Sequence, residues 1–312
     1  MKNILAFIVL LLIILSGWYI FTQKYNYKYA GMLVKPAEII NKITPLRVQK
    51  PNQSSYFHIA IIVMENRSLQ NITGNINALF INSLIKQGTL LSNYSAVTHP
   101  SLPNYLAILG GDTFGITSDC QTCFISANNL VDQLENYHKT WKAYMESMPA
   151  NCFLGSTNLY AQKHNPFIYF NDIRENKNRC NNVVPLDNLK TDLSAEKTTP
   201  DFIWITPNIC NDMHDCSTLQ GDKWLSKEVP LILNSPAFTT RKSLLIITWD
   251  EAEGSDSNKV PTIIMGTGIK HGLTAGSPYN HYSLLHTIEK LWGMPPINSN
   301  AKKSAIINEI LL

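Results

Sequence analysis

A serine placed just ahead of a proline at a helix start is the most specific chemical feature of this sequence. In Thr98-His-Pro-Ser-Leu-Pro-Asn-Tyr105, which runs on into Leu106 to Leu109, Ser101 stands where a helix offers free backbone N–H groups and the positive end of its dipole. That setting suits an anion such as phosphate. It also suits a plain N-cap, so the segment alone supports both readings. Glu65-Asn66 and Asp250-Glu251 each follow an apolar run directly and could ligate a cation, or could be turns. Asn208, followed by Asn211-Asp212-Met213-His214-Asp215, mixes amide, carboxylate and imidazole in one loop, and His281 opens the last amphipathic stretch within Asn280-His-Tyr-Ser283. Either imidazole could as easily pack or cap. Carboxylates converging from several of these segments would repel one another unless a cation or protons sat among them.

The elements that must position these groups are legible as an alternation. Runs at His58–Val63, Phe202–Thr206, Ser243–Trp249 and Val260–Met265 are apolar and rich in β-branched residues, as strands covered on both faces are. Between them, Leu79, Phe80, Leu84 and Ile85 before Gly88, then Leu130, Leu134 and Tyr137, and later Tyr282, Leu285, Ile288 and Leu291, keep helical spacing. The expected fold is therefore α/β, a mostly parallel central sheet with helices on both faces. In such sheets ligands bind beyond the carboxyl ends of the strands, where the acids lie.

The 312 residues carry a formal charge of +3 without a Lys/Arg run interleaved with aromatics, which argues against a nucleic-acid partner. Ile4 to Phe21 is nearly all apolar, with Trp18 and Tyr19 at its far end, about the ~20 residues of a membrane-crossing helix. We therefore expect an N-terminal transmembrane anchor or signal sequence over 1–23, a stalk over 24–56 and one domain over 57–312. The exported part would face the periplasm from the bacterial inner membrane, or be secreted if the leader is cleaved. Cys120, Cys123, Cys152, Cys180, Cys210 and Cys216 all lie in that part, so disulfides are the default over a redox or zinc role for the Cys120/Cys123 pair. Sequence leaves the pairing open; a bridge from 120 or 123 to 152 and one from 210 to 216 form the working set.

Taken in order, Glu65-Asn66, His99-Pro-Ser101-Leu-Pro-Asn104-Tyr, Asn211-Asp-Met-His214, Thr248-Trp-Asp-Glu251 and Asn280-His281-Tyr-Ser resemble the phosphoesterase family of bacterial acid phosphatases and phospholipases C, in the alkaline phosphatase-like superfamily. The resemblance covers roughly residues 57–296. It implies one metal held by Glu65, Asn66, Ser101, Asp250 and Glu251. A second cluster of Asn208, Asp212, His214 and His281 is less secure, because the histidine expected after the late aspartate is Glu251 here. The implied activity is an exported, metal-assisted acid phosphatase in which Ser101 attacks a phosphate monoester and becomes phosphoserine. His99 and His214 would move protons or contact phosphate, and Asn66, Asn104 and His281 would bind substrate. The cofactor would be a divalent ion, Mg, Ca or Zn, and the substrate a phosphorylated small molecule or a phospholipid head group. A phospholipase C-type phosphodiesterase and a non-catalytic metal-binding surface protein are the alternatives.

Overall fold

His58-Ile-Ala-Ile-Ile-Val-Met64 is buried along its whole length, as only a strand covered on both faces can be. It is β1 of a computed structural model that describes residues 56–254 and 257–311. The other strands are β2 (Thr89–Leu91), β3 (Tyr94–Ser95), β4 (Trp141–Met145), β5 (Val183–Pro185), β6 (Phe202–Thr206), β7 (Ser243–Trp249), β8 (Thr262–Gly266), β9 (Leu273–Ala275) and β10 (Tyr279–Asn280). Eight of them form one sheet in the order β5-β4-β6-β1-β7-β8-β2-β9. The run from β5 to β7 is parallel throughout. β8 lies antiparallel to both β7 and β2, so the sheet is mostly parallel, as expected. The principal helices are α1 (Leu79–Gln87), α2 (Ser101–Gly110), α3 (Leu130–Asn136), α4 (Thr218–Leu233) and α5 (His281–Leu291). α1 packs on α4, and α2 on α5.

Two elements escape the sequence pattern. β4 reads Trp-Lys-Ala-Tyr-Met, with a charge and no β-branched residue; it is held as a strand by its neighbours, while Lys142 reaches Asp192 at 2.7 Å. α4 contains Gly221 and Pro230, both poor helix formers, and is retained by its packing. Among the described residues no helix is long and apolar enough to cross a membrane. The anchor expected over 1–23, and all of the stalk but Tyr56, lie outside those residues. Of the working disulfide set, Cys210–Cys216 forms, whereas Cys120 pairs with Cys123 and Cys152 with Cys180. The Cys152–Cys180 pairing has a local cause: Cys152 N donates to Val183 O, bringing the loop after β4 against the segment that carries Cys180.

α5 also holds a titrating group away from the strand ends. Glu289 is buried, and its Oε1 accepts the Ile297 N–H at 2.7 Å. Burial pushes its carboxyl up to about 7. In the unfolded chain it ionises near ~4.3. Between these values the folded form binds more protons, so its stability falls as pH rises; below them both states are protonated and nothing changes. Glu289→Gln should therefore be more stable than wild type near pH ~8, by on the order of 1–3 kcal/mol, and equal to it near pH ~4. Urea denaturation at both values checks this, and an equal difference at both would refute it.

Candidate active site

The pairing of β1 with β7 sets Met64 beside Trp249, so the next residues, Glu65 and Asp250, leave the sheet side by side. Asp250 N donates to Met64 O at 2.9 Å, and Glu65 N donates to Asp212 O at 2.9 Å, which draws in the loop after β6. Asn66 adopts φ +46°, a left-handed backbone that asparagine tolerates better than most residues. Its N–H donates to Asp250 Oδ1 at 3.3 Å, and its side-chain amide lies 3.4 Å from Glu65 Oε2. Three strand ends thus meet at one point, as the topology of open parallel sheets requires.

Ser101 is the first residue of α2 and is buried. Its Oγ lies 3.1 Å from Glu65 Oε2 and 3.4 Å from Glu251 Oε1. Tyr105, one turn on, donates its hydroxyl to Glu65 Oε1 at 2.5 Å. His99 Nδ1 is 2.6 Å from Glu251 Oε2, and its ring is the exposed member of that pair. Glu65, Asp212, Asp250 and Glu251 are all buried. Burial, then Asp250 and Asp212, push Glu65 well above the carboxylate range. Burial and Glu251 do the same to Asp250, and burial lifts Asp212 to about 8.

His164 completes the centre. It stacks on Tyr105, with Nε2 3.2 Å from Glu65 Oε1 and Nδ1 3.2 Å from Asp212 Oδ2. Neither contact has hydrogen-bond alignment, so both ring nitrogens and Asp212 Oδ2 are buried without partners among the described residues; Asp250 Oδ2 is likewise unpartnered. Burial, then Lys163 and His214, hold the ring well below the usual histidine range and therefore neutral, the form that ligates metals. Ligand atoms of Glu65, His164 and His214 fall within 4.8 Å of one another. Buried polar atoms left unmatched are costly, and oxygens with imidazole nitrogens suit a divalent cation. The donor set fits such an ion.

The sequence did not single out His164, Lys163, Asp119 or Tyr105. His164 lies in Gln-Lys-His-Asn-Pro166, where neither spacing nor an apolar run marks it. Three expected residues take other roles. Asn104 accepts from Val97 and Thr98 N–H and donates to Thr98 and Pro100 carbonyls, so it braces the loop before Ser101 rather than facing a substrate. His281 spends Nδ1 on Tyr94 OH at 3.0 Å and Nε2 on Asp250 O at 2.7 Å, so it fixes the Asp250 backbone and has no nitrogen left for metal or substrate. Asn208 Oδ1 accepts from Cys210 and Asn211 N–H, a turn within its own loop. The cluster that does gather Asp212 and His214 does so with Glu65 and His164.

The Cys210–Cys216 bridge closes the loop that carries Asp212 and His214. Replacing both cysteines with serine should cost about 2 kcal/mol of stability through the freed loop. It should also lower kcat/KM about tenfold by loosening both side chains. Urea denaturation and steady-state kinetics on one preparation check both effects.

The sequence model of the Phosphoesterase family matches residues 77–295. The chain belongs to that family. A relative named phosphatidylinositol-3-phosphatase, from Mycobacterium tuberculosis, is 36% identical over 77% of this chain and 78% of its own. An acid phosphatase of Aspergillus fumigatus is 34% identical over 69% of this chain, and the chain spans only 50% of that relative's length. This phosphoesterase is a hydrolase of phosphoric ester bonds. Its fold also matches a solved alkaline phosphatase superfamily protein from Vibrio parahaemolyticus, with TM-score 0.56 and 12% identity over 81% of this chain and 71% of the other.

Proposed function

We propose that this phosphoesterase is an exported, metal-assisted acid phosphatase that cleaves phosphate monoesters through a phosphoserine on Ser101. The observation that carries the reading is the position of Ser101 Oγ, buried at the start of the ten-residue α2 and within 3.1 Å and 3.4 Å of two acids. A serine hydroxyl is a weak nucleophile until a base or a cation activates it. A divalent cation held by Glu65, Asp250 and Glu251, with His164 beside it, would supply the positive charge that favours the alkoxide and neutralises phosphoryl oxygens. Asn66 and Tyr105 hold Glu65 in place, and His281 holds Asp250 through its backbone.

Glu251 anchors His99 by Nδ1, so Nε2 is the atom that would give a proton to the departing alkoxide and later take one from water. An imidazolium acid favours activity on the acidic side, in keeping with relatives named acid phosphatase. The three disulfides and the apolar N-terminal run support export. The name of the mycobacterial relative makes phospholipid head groups substrates to try beside small phosphate esters. Acid quenching during turnover of p-nitrophenyl phosphate, followed by peptide mass analysis, tests the reading. One phosphoryl group should sit on Ser101; a phosphorylated histidine, or no covalent species under burst conditions, would overturn it.

A further inference from the structure

We propose that Lys163 makes this site prefer doubly charged phosphate monoesters over singly charged diesters, a specificity that rests on the phosphatase reading above. The site gathers four buried acids, Glu65, Asp212, Asp250 and Glu251, and those that ionise around a bound cation would offset that cation's attraction for an anionic substrate. Lys163 stands among these acids. Its Nζ is 2.9 Å from Asp119 Oδ2 and 3.2 Å from His214 Nε2, and its side chain keeps partial access to solvent. Asp119 in turn accepts the Leu102 N–H at 3.0 Å. The ammonium is therefore tied through one carboxylate to the residue that follows the nucleophile.

The Lys163 charge also reaches the acids. Burial drives Glu65, Asp212 and Glu251 upward, and in each case the Lys163 charge works against it. Arg67, the neighbouring alternative, spends Nε on Thr218, one terminal nitrogen on Asn66 O and the other on Cys216 O, a set of contacts that secures the loop after β1 to the one before α4. An ammonium has three N–H donors on a freely rotating bond. With one on Asp119 and one on His214, the third remains for a phosphoryl oxygen. Coulomb attraction scales with the charge of the ligand, so a dianionic monoester gains more from this group than a monoanionic diester does. The plain alternative, in which Lys163 only ties Asp119 to the pocket, predicts equal losses on both substrates.

The test compares wild type, Lys163→Met and Lys163→Arg on p-nitrophenyl phosphate and bis(p-nitrophenyl) phosphate near pH ~7, where a phosphomonoester carries close to two charges. Lys163→Met should lose about a hundredfold in kcat/KM on the monoester and less than about tenfold on the diester, with Lys163→Arg recovering most of the monoester loss. Where diester turnover falls below detection, competitive inhibition by inorganic phosphate and by dimethyl phosphate gives the same ratio. Phosphate inhibition should weaken at least about tenfold in Lys163→Met, and dimethyl phosphate inhibition should hardly move. Near-ultraviolet circular dichroism confirms that each variant is folded; if Lys163→Met is not, Lys163→Gln takes its place. Parallel losses on both substrates, or no loss on either, would overturn the role of Lys163 while Ser101-dependent turnover stands. Turnover indifferent to Ser101 would instead remove the phosphatase reading beneath it.

Discussion

Ser101→Ala should lower kcat on p-nitrophenyl phosphate about ten-thousand-fold while changing thermal stability little. The kinetic size follows from the proposed role of Ser101 as the attacking group, since removing a nucleophile costs about three to six orders of magnitude and leaves only the activity that binding and electrostatics supply. The stability expectation follows from Ser101's contacts. Its Oγ serves two acids and caps no backbone group: α2 has Pro100 as its N-cap and no side-chain cap. Deleting the hydroxyl also removes a polar group from a crowded set of carboxylates. Stopped assays with chromatographically pure variant protein separate real residual turnover from contamination. Activity within tenfold of wild type would mean that water or another side chain attacks phosphorus.

Glu65→Gln should have the second largest effect, with opposite signs on activity and on metal-free stability. Glu65 is the acid that faces both halves of the site, with Oε2 toward Ser101 and Oε1 toward Tyr105 and His164. An amide keeps the shape and one oxygen but loses the charge, so affinity for a divalent cation should fall at least about a hundredfold and kcat about a thousandfold. Burial and two neighbouring acids already oppose ionisation of Glu65. Without metal, its charge is therefore a cost, and the neutral variant should melt ~2–10 °C higher than wild type in chelator. Titration calorimetry with Mg²⁺, Mn²⁺ and Zn²⁺ and melting curves with and without chelator read the two effects separately. Unchanged metal affinity would remove Glu65 from the ligand set, whatever happened to the rate.

Much of this site follows from where polarity breaks. Strands buried on both faces tolerate few polar residues, so the first acid after such a run marks the sheet edge: Glu65 after β1 and Asp250 after β7 are legible for that reason. Ser101 is legible because proline and serine punctuate helix starts. Helices with unbroken periodicity, α1 and α5, were readable for the same kind of reason, whereas α4 was hidden by Gly221 and Pro230, and β4 by Lys142. The roles of amides and imidazoles were not readable, because each has two polar ends and the partner decides its use. Asn104 looks like a substrate donor in sequence and is a loop brace in space; His281 looks like a ligand and is a backbone clamp.

What the sequence determined by itself was the set of local commitments: a mostly parallel sheet, a serine at a helix start and acids at strand ends, each fixed by the polarity of a few adjacent residues. Tertiary structure decided which distant groups share one volume. The order β4-β6-β1-β7 places the loop after β4 over the ends of β6 and β1, and so delivers His164 to Glu65, and Lys163 to Asp119 and His214, across separations of 99, 44 and 51 residues. No local pattern encodes that placement. It follows from packing several buried strands into one sheet, where burial of the strands, not the chemistry of the loops, sets the neighbours.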